Sequence, residues 1–140
     1  MLNIFNKSKV LVTGHTGFKG SWLTLWLSYL GAEVTGVSFD VPTTPSHFNV
    51  AKMSDFMIDQ RVDIRDETDL KKAVLDSNPD FVFHLAAQPL VRRSYANPLE
   101  TYQTNVLGTV NVLDALRELD KPCVAVLITS DKCYDNVEWV

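Results

Sequence analysis

Gly14, Gly17 and Gly20 sit three residues apart where an apolar run, Val10-Leu11-Val12-Thr13, meets a stretch rich in Trp and Leu. No other feature of the chain restricts its fold so tightly. Apolar β-type residues that end in a glycine trio and continue at helical spacing specify a strand, a tight turn and a helix start. Gly14 lets the chain turn sharply, Gly17 removes a side chain where an anion approaches, and Gly20 lets the helix pack close to the strand. The helix N-terminus then directs unpaired N–H groups and the positive end of its dipole outward. A diphosphate fits such a cradle, which runs over Gly14, Thr16, Gly17, Phe18, Lys19 and Gly20.

Strand and helix patterns go on alternating along the chain. Strands are predicted at Lys9–Thr13, Glu33–Ser38, 61–64, 80–84 and 124–129. A helix over 18–30 places Trp22, Leu23, Trp26, Leu27 and Leu30 at helical spacing, with Gly31 as its C-cap. Another over 66–77 turns Leu70, Ala73 and Val74 inward. A third, opened by Pro98 and running to about residue 119, carries Val106, Val110 and Leu113 on one face. Residues 41–59, with prolines at 42 and 45, read as a long surface loop. The run at 124–129 has the character of a strand buried on both faces. This order predicts an α/β fold: a Rossmann-like, doubly wound parallel sheet with right-handed crossovers, whose ligands bind at the carboxyl ends of the strands.

At 140 residues and 46% hydrophobic, the chain is expected to form one domain, 1–140, with a real core. A formal net charge of -4 argues against nucleic acid as a partner. No apolar run approaches the ~20 residues of a membrane span, and no secretory signal is visible, so a cytoplasmic protein is expected. Cys123 and Cys133 fit a reducing compartment, and their spacing makes no metal site.

Each predicted strand ends in residues able to meet a ligand. Ser38 and Asp40, 18 and 20 residues beyond Gly20, stand where a dinucleotide site needs a group for the adenosine ribose hydroxyls. Asp40 is the stronger acceptor, and a solvated loop aspartate is the alternative. No lysine or arginine occurs over residues 34–47 to meet a 2′-phosphate, which favours NAD over NADP. Asp63 and Ile64 either hold the adenine or belong to the entry of the next helix, where Asp66 is the better cap. Leu85, Ala86, Ala87 and Gln88 follow the fourth strand, where small residues let the backbone run beside the cofactor ribose. His84 reads as a satisfied sheet-end histidine. Arg92 and Arg93 are candidates for a substrate diphosphate, or a solvated pair. Ser130, Asp131 and Lys132 emerge together from the fifth strand as a hydroxyl, an acid and a base, or form a polar turn.

Taken together, residues 12–20, Asp63, His84-Leu85-Ala86-Ala87 and Thr104-Asn105-Val106-Leu107-Gly108-Thr109 resemble the extended short-chain dehydrogenase/reductase superfamily. Within it, residues 14–22, 86–92 and 129–136 look like those of the CDP-glucose 4,6-dehydratases. The dTDP-glucose relatives have Thr-Asp-Glu where this chain has Ser130-Asp131-Lys132. The resemblance implies NAD as cofactor, CDP-glucose as substrate, Asn105 among the cofactor-binding residues, and a homo-oligomer at full length. It implies an internal redox elimination: hydride leaves C4, water leaves across C5–C6, and the hydride returns to C6. Ser130 would hold the C4 oxygen, Asp131 would protonate the departing hydroxyl, and Lys132 would act near C5.

The superfamily's Tyr-x-x-x-Lys is not found: none of Tyr29, Tyr95, Tyr102 and Tyr134 has a lysine four residues on. The chain is therefore expected to be the dinucleotide-binding part of a longer enzyme, truncated after strand 5, without the nucleotide-sugar domain. Alone it is expected to lack dehydratase activity, to bind NAD weakly and to expose an apolar sheet edge. The alternatives are another nucleotide-sugar epimerase or dehydratase, and a non-catalytic dinucleotide-binding module.

Overall fold

Val10, Leu11 and Val12 are buried at the centre of the molecule, in the strand β1 (Lys9–Thr13) that has neighbours on both sides. The computed structural model describes residues 3–130 together with 134 and 135. β1 pairs in parallel with β2 (Glu33–Ser38) on one side and β4 (Phe81–His84) on the other. β3 (Ile58–Arg61) extends the sheet beyond β2, and β5 (Val124–Leu127) extends it beyond β4, giving the order β3-β2-β1-β4-β5. The order reverses between β1 and β4, so the carboxyl ends of those two strands diverge into a crevice.

Helices cover both faces, as the alternation predicts. On one face Leu11, Val37 and Val82 pack with Leu70, Ala73 and Val74 of α3 (Glu67–Ser77) and with Val112 and Ala115 of α6 (Gly108–Leu116). On the other, Val10, Val12 and Val34 pack with Leu27 of α1 (Phe18–Tyr29). Burying side chains of this size contributes roughly 1.5–3 kcal/mol each, before the entropy of ordering them.

Three expectations are corrected, those for β3, for the segment 41–59 and for β5. β3 lies at Ile58–Arg61 rather than 61–64, because Ile64 leaves the sheet and is buried against Gly108 of α6. The segment 41–59 is not one open loop: Ser46 Oγ accepts from Asn49 N–H and caps the short α2 (His47–Val50), while Phe48 and Met53 are buried. α1 buries Gly20, Ser21, Thr24 and Leu27, and leaves Trp22 and Trp26 exposed. Its small residues face the sheet because the close approach set by Gly20 leaves no room there for indoles. The long helix opens at Pro98 as expected and runs unbroken through α5 (Pro98–Tyr102), a π-helical turn (Gln103–Leu107) and α6 to Leu116, after a separate short α4 (Val91–Ala96), and Val106, Val110 and Leu113 lie on its exposed side. β5 is an edge strand with Val124, Ala125 and Val126 exposed, so it is not covered on both faces.

Candidate functional site

The glycine elbow has the predicted shape. Gly14 adopts φ +77 and donates its N–H to Val37 O at 2.8 Å. A Cβ there would lie 2.6 Å from Ala86 N, so β1 and β4 close against each other through bare backbone. At Gly20 a Cβ would lie 2.0 Å from Gly14 O, which fixes how closely α1 packs on the turn. Gly17 differs: a Cβ there would meet Gly14 O alone, at 3.3 Å. Its lack of a side chain keeps space clear in front of α1. Gly17 is the N-cap of α1 and offers no capping side chain, and the first turn holds Lys19 and no acid. An anion suits the N–H groups and dipole that this leaves uncompensated.

Behind the elbow, Thr16 ties the loop to the end of β2. Its N–H donates to Ser38 Oγ at 3.4 Å and its hydroxyl donates to the Asp40 carbonyl at 2.6 Å. Ser38 is buried, whereas Asp40 is exposed. The Ser38 hydroxyl also meets Nδ1 of the buried His15 at 2.9 Å, and His15 Nε2 meets Asp59 Oδ1 at 2.9 Å. Sequence reasoning passed over His15 and Asp59. The available signal was Gly36, a glycine inside a buried strand: a Cβ there would lie 2.3 Å from His15 Cγ.

At the end of β4, His84 is held on both ring nitrogens, Nδ1 to Thr13 Oγ1 at 2.6 Å and Nε2 to Thr109 Oγ1 at 3.0 Å. Burial pushes its pKa below the ordinary value, so the ring is neutral and braces β4 between β1 and α6. Ala86 N–H donates to Thr13 Oγ1 at 3.3 Å. Gln88 N–H donates to Asn105 Oδ1 at 2.7 Å, and Asn105 Nδ2 donates back to Gln88 O at 3.0 Å. Asn105 stands in the π-helical turn, the kind of local irregularity that often re-aims a side chain at a site.

The remaining candidates divide. Asp63 pairs with Arg65, Oδ2 to Nη2 at 2.5 Å, and the guanidinium holds the carboxyl below the usual carboxylate range. Asp66 caps α3 by accepting from Asp69 N–H at 3.0 Å. Arg93 is paired with Glu100, whereas Arg92 on the same exposed helix makes no ion pair among the described residues. Ile128 N–H donates to His84 O, which places the chain leading to Ser130 beside the end of β4. Asp131 and Lys132 lie outside the described residues. Gly14, Thr16, Gly17, Ser38, Asp40 and Ala86 are therefore brought to one crevice mouth, with Gln88 and Asn105 clamped along its β4 side. Among the described residues no group of His, Cys, Asp or Glu could hold a metal, and no helix is long and apolar enough to cross a membrane.

The family model described as GDP-mannose 4,6 dehydratase matches residues 11–139. The CDP-glucose 4,6-dehydratase of Salmonella typhimurium (strain LT2) is 51% identical over 138 residues, 99% of this chain and 38% of that protein. A solved UDP-glucose-4-epimerase from Stenotrophomonas maltophila, with bound NAD and formylated UDP-arabinopyranose, gives a TM-score of 0.81 at 25% identity, over 94% of this chain and 40% of that one. The UDP-glucose 4-epimerase of Thermus thermophilus in complex with NAD gives 0.69 at 34% identity, over 79% of this chain and 34% of that one. The chain thus spans 38% of the length of its Salmonella relative.

Proposed function

This chain belongs to the GDP-mannose 4,6-dehydratase family, and we propose that it is the NAD-binding part of a nucleotide-sugar 4,6-dehydratase acting on CDP-glucose. The single observation behind the cofactor assignment is the elbow at the crevice mouth, where a side chain on Gly17 would fill space that the fold itself leaves unused. The cofactor diphosphate lies against residues 14–20. Asp40 takes the adenosine ribose, because the Ser38 hydroxyl is already engaged by His15 and Thr16. Asp63 and Ile64 bound the adenine end. Leu85, Ala86, Ala87 and Gln88 line the β4 side, held there by Asn105.

NAD, when bound, supplies a hydride acceptor for C4 of the sugar and a hydride donor for C6. Ser130 holds the C4 oxygen, whose hydroxyl proton passes to a general base other than Ser130, Asp131 or Lys132. Asp131 protonates the departing C6 hydroxyl, and Lys132, when neutral, takes the C5 proton and returns it as the hydride adds to C6. Arg92 meets the substrate diphosphate in preference to Arg93, whose charge Glu100 already engages. The Stenotrophomonas and Thermus structures are named as 4-epimerases. An epimerase needs no acid for a leaving hydroxyl, whereas Asp131 supplies one. CDP-glucose as the substrate has its support in the 51% identity to the Salmonella enzyme.

The test is to assay the full-length protein with CDP-, UDP-, dTDP- and GDP-linked sugars and identify products by mass and NMR. Formation of a CDP-4-keto-6-deoxy sugar is expected. A C4 epimer as the sole product would replace this reading with the epimerase one, and turnover of another nucleotide alone would remove the CDP assignment. The isolated chain is expected to show no turnover.

A further inference from the structure

Resting on the dinucleotide reading of the elbow, we propose that His15 is a positioning residue for the cofactor loop, held in one tautomer by Asp59 of the edge strand β3. Proton logic fixes the direction of each hydrogen bond. An ionised Asp59 only accepts, so His15 Nε2 carries a proton and donates to Oδ1 at 2.9 Å. Nδ1 of the neutral ring is then an acceptor, and the Ser38 hydroxyl donates to it at 2.9 Å. The Ser38 oxygen keeps its lone pairs for Thr16 N–H at 3.4 Å, and Thr16 Oγ1 closes on the Asp40 carbonyl at 2.6 Å. One unbroken line of donors thus joins Asp59 to the loop that faces the diphosphate and to the residue proposed for the ribose.

The Val37 carbonyl lies within hydrogen-bonding reach of His15, and packing confines this residue on several sides. Its side chain is fully buried, and the ring occupies the space that a Cβ on Gly36 would need. Phe48 meets it edge-on at 5.3 Å. Arg61 lies over Phe48 at 5.2 Å and binds the second Asp59 oxygen at 2.7 Å, so the carboxylate is fixed from its far side. Desolvation lowers the His15 pKa, and the neighbouring Asp59 partly offsets that, in keeping with a neutral ring. Without the Asp59 acceptor, a buried Nε2–H is unsatisfied and the ring gains by moving its proton to Nδ1. Ser38 must then rotate its own hydroxyl proton away, and the hold on Thr16 loosens.

Ring-nitrogen NMR on the full-length protein, with amide exchange at Thr16 and NAD titration, tests this. The unaltered chain should show His15 protonated at Nε2. Asp59→Ala should move the proton to Nδ1, speed Thr16 exchange and weaken NAD binding by about tenfold, the equivalent of one hydrogen bond. Asp59→Asn keeps an acceptor for Nε2 and should restore the tautomer and most of the affinity, which rescue a merely structural aspartate does not predict. Should Asp59→Ala fail to fold, Ser38→Ala cuts the line at its other end and should release Thr16 while leaving the His15–Asp59 bond intact. Unchanged Thr16 exchange in whichever of these two variants folds would overturn the proposal. If the unaltered full-length protein binds no NAD, the cofactor reading falls, and the tautomer and exchange measurements still decide the role of His15.

Discussion

Gly17 and Gly20 separate what the elbow does from what holds it together. In a helix, Gly→Ala ordinarily gains up to about 1 kcal/mol. At Gly20 the new methyl would sit 2.0 Å from Gly14 O, backbone that cannot yield. Gly20→Ala is therefore expected to destabilise the chain by about 2 kcal/mol or more in urea unfolding. Gly17 has helix-entry dihedrals that alanine also adopts (φ -69, ψ 168), and its only near neighbour is at 3.3 Å. Gly17→Ala should cost about 1 kcal/mol or less, the ordinary loss at an N-cap, yet reduce NAD binding. Equal affinity in Gly17→Ala and the parent would show that no ligand approaches there. The trio was legible in the sequence because spacing alone reports it. The hydrogen-bonded line from Asp59 was not, since it joins residues 44 positions apart.

His15 and His84 give the same residue scale a pH dependence. Burial lowers both pKa values below the 6.5 of a free imidazole. Above pH 6.5 folded and unfolded chains are both neutral at these rings, and the stability they help provide is complete. As pH falls through 6.5 toward the folded pKa values, the unfolded chain takes up protons that the folded chain refuses. Stability should then drop, by at most about 1.4 kcal/mol per pH unit for each ring. The urea midpoint is expected to fall between about pH 7.5 and about pH 5.5, and a flat profile there would mean that the rings protonate without cost in the folded chain.

At the scale of elements, sequence patterns were reliable where burial and capping act locally. β1 and β2 match their expected bounds because both lie inside the sheet and are buried from their second residue to their last, which leaves little freedom of register. β3 lies away from its expected bounds because it is a short edge strand whose Ile58 faces solvent, while Ile64 of the more apolar segment 61–64 serves a helix contact instead. α2 is four residues long, too short for periodicity to report. The inward face of α1 is not legible from spacing, because Trp22 and Trp26 follow helical spacing as faithfully as core residues do, and only packing against the sheet shows that Ser21 and Thr24 lie inward. α3 shows how far a local rule reaches: Asp66 accepts from Asp69 N–H, and Asn78 closes the other end in the left-handed region at φ 43. Asp66→Ala should cost about 1 kcal/mol in urea unfolding, and Asn78→Gly should stabilise by a few tenths of that amount or more. A null effect at Asp66 would mean that tertiary packing alone fixes where α3 begins.

For the whole molecule, the decisive asymmetry is between the two ends of the sheet. The β3 end carries Asp59, Gln60 and Arg61, polar residues that blunt an edge. The β5 end presents Val124, Val126 and Ile128, all substantially exposed, and among the described residues no strand pairs with β5 beyond β4. An edge strand flanked by exposed valines is a template for another strand. A second apolar surface, Val106, Val110 and Leu113, runs along the outer side of the π turn and α6, but its backbone is already satisfied within the helix. The chain should therefore self-associate through the β5 edge, with a sedimentation coefficient that rises with concentration. Val126→Lys places a charge on the edge at a side chain already 39% exposed, so it should cost no more than about 1 kcal/mol while dispersing the chain. Val110→Glu, which charges the helical stripe instead, should leave association unchanged. The reverse outcome, dispersal by Val110→Glu and none by Val126→Lys, would place the contact on the helices and show that the open strand is protected in some other way.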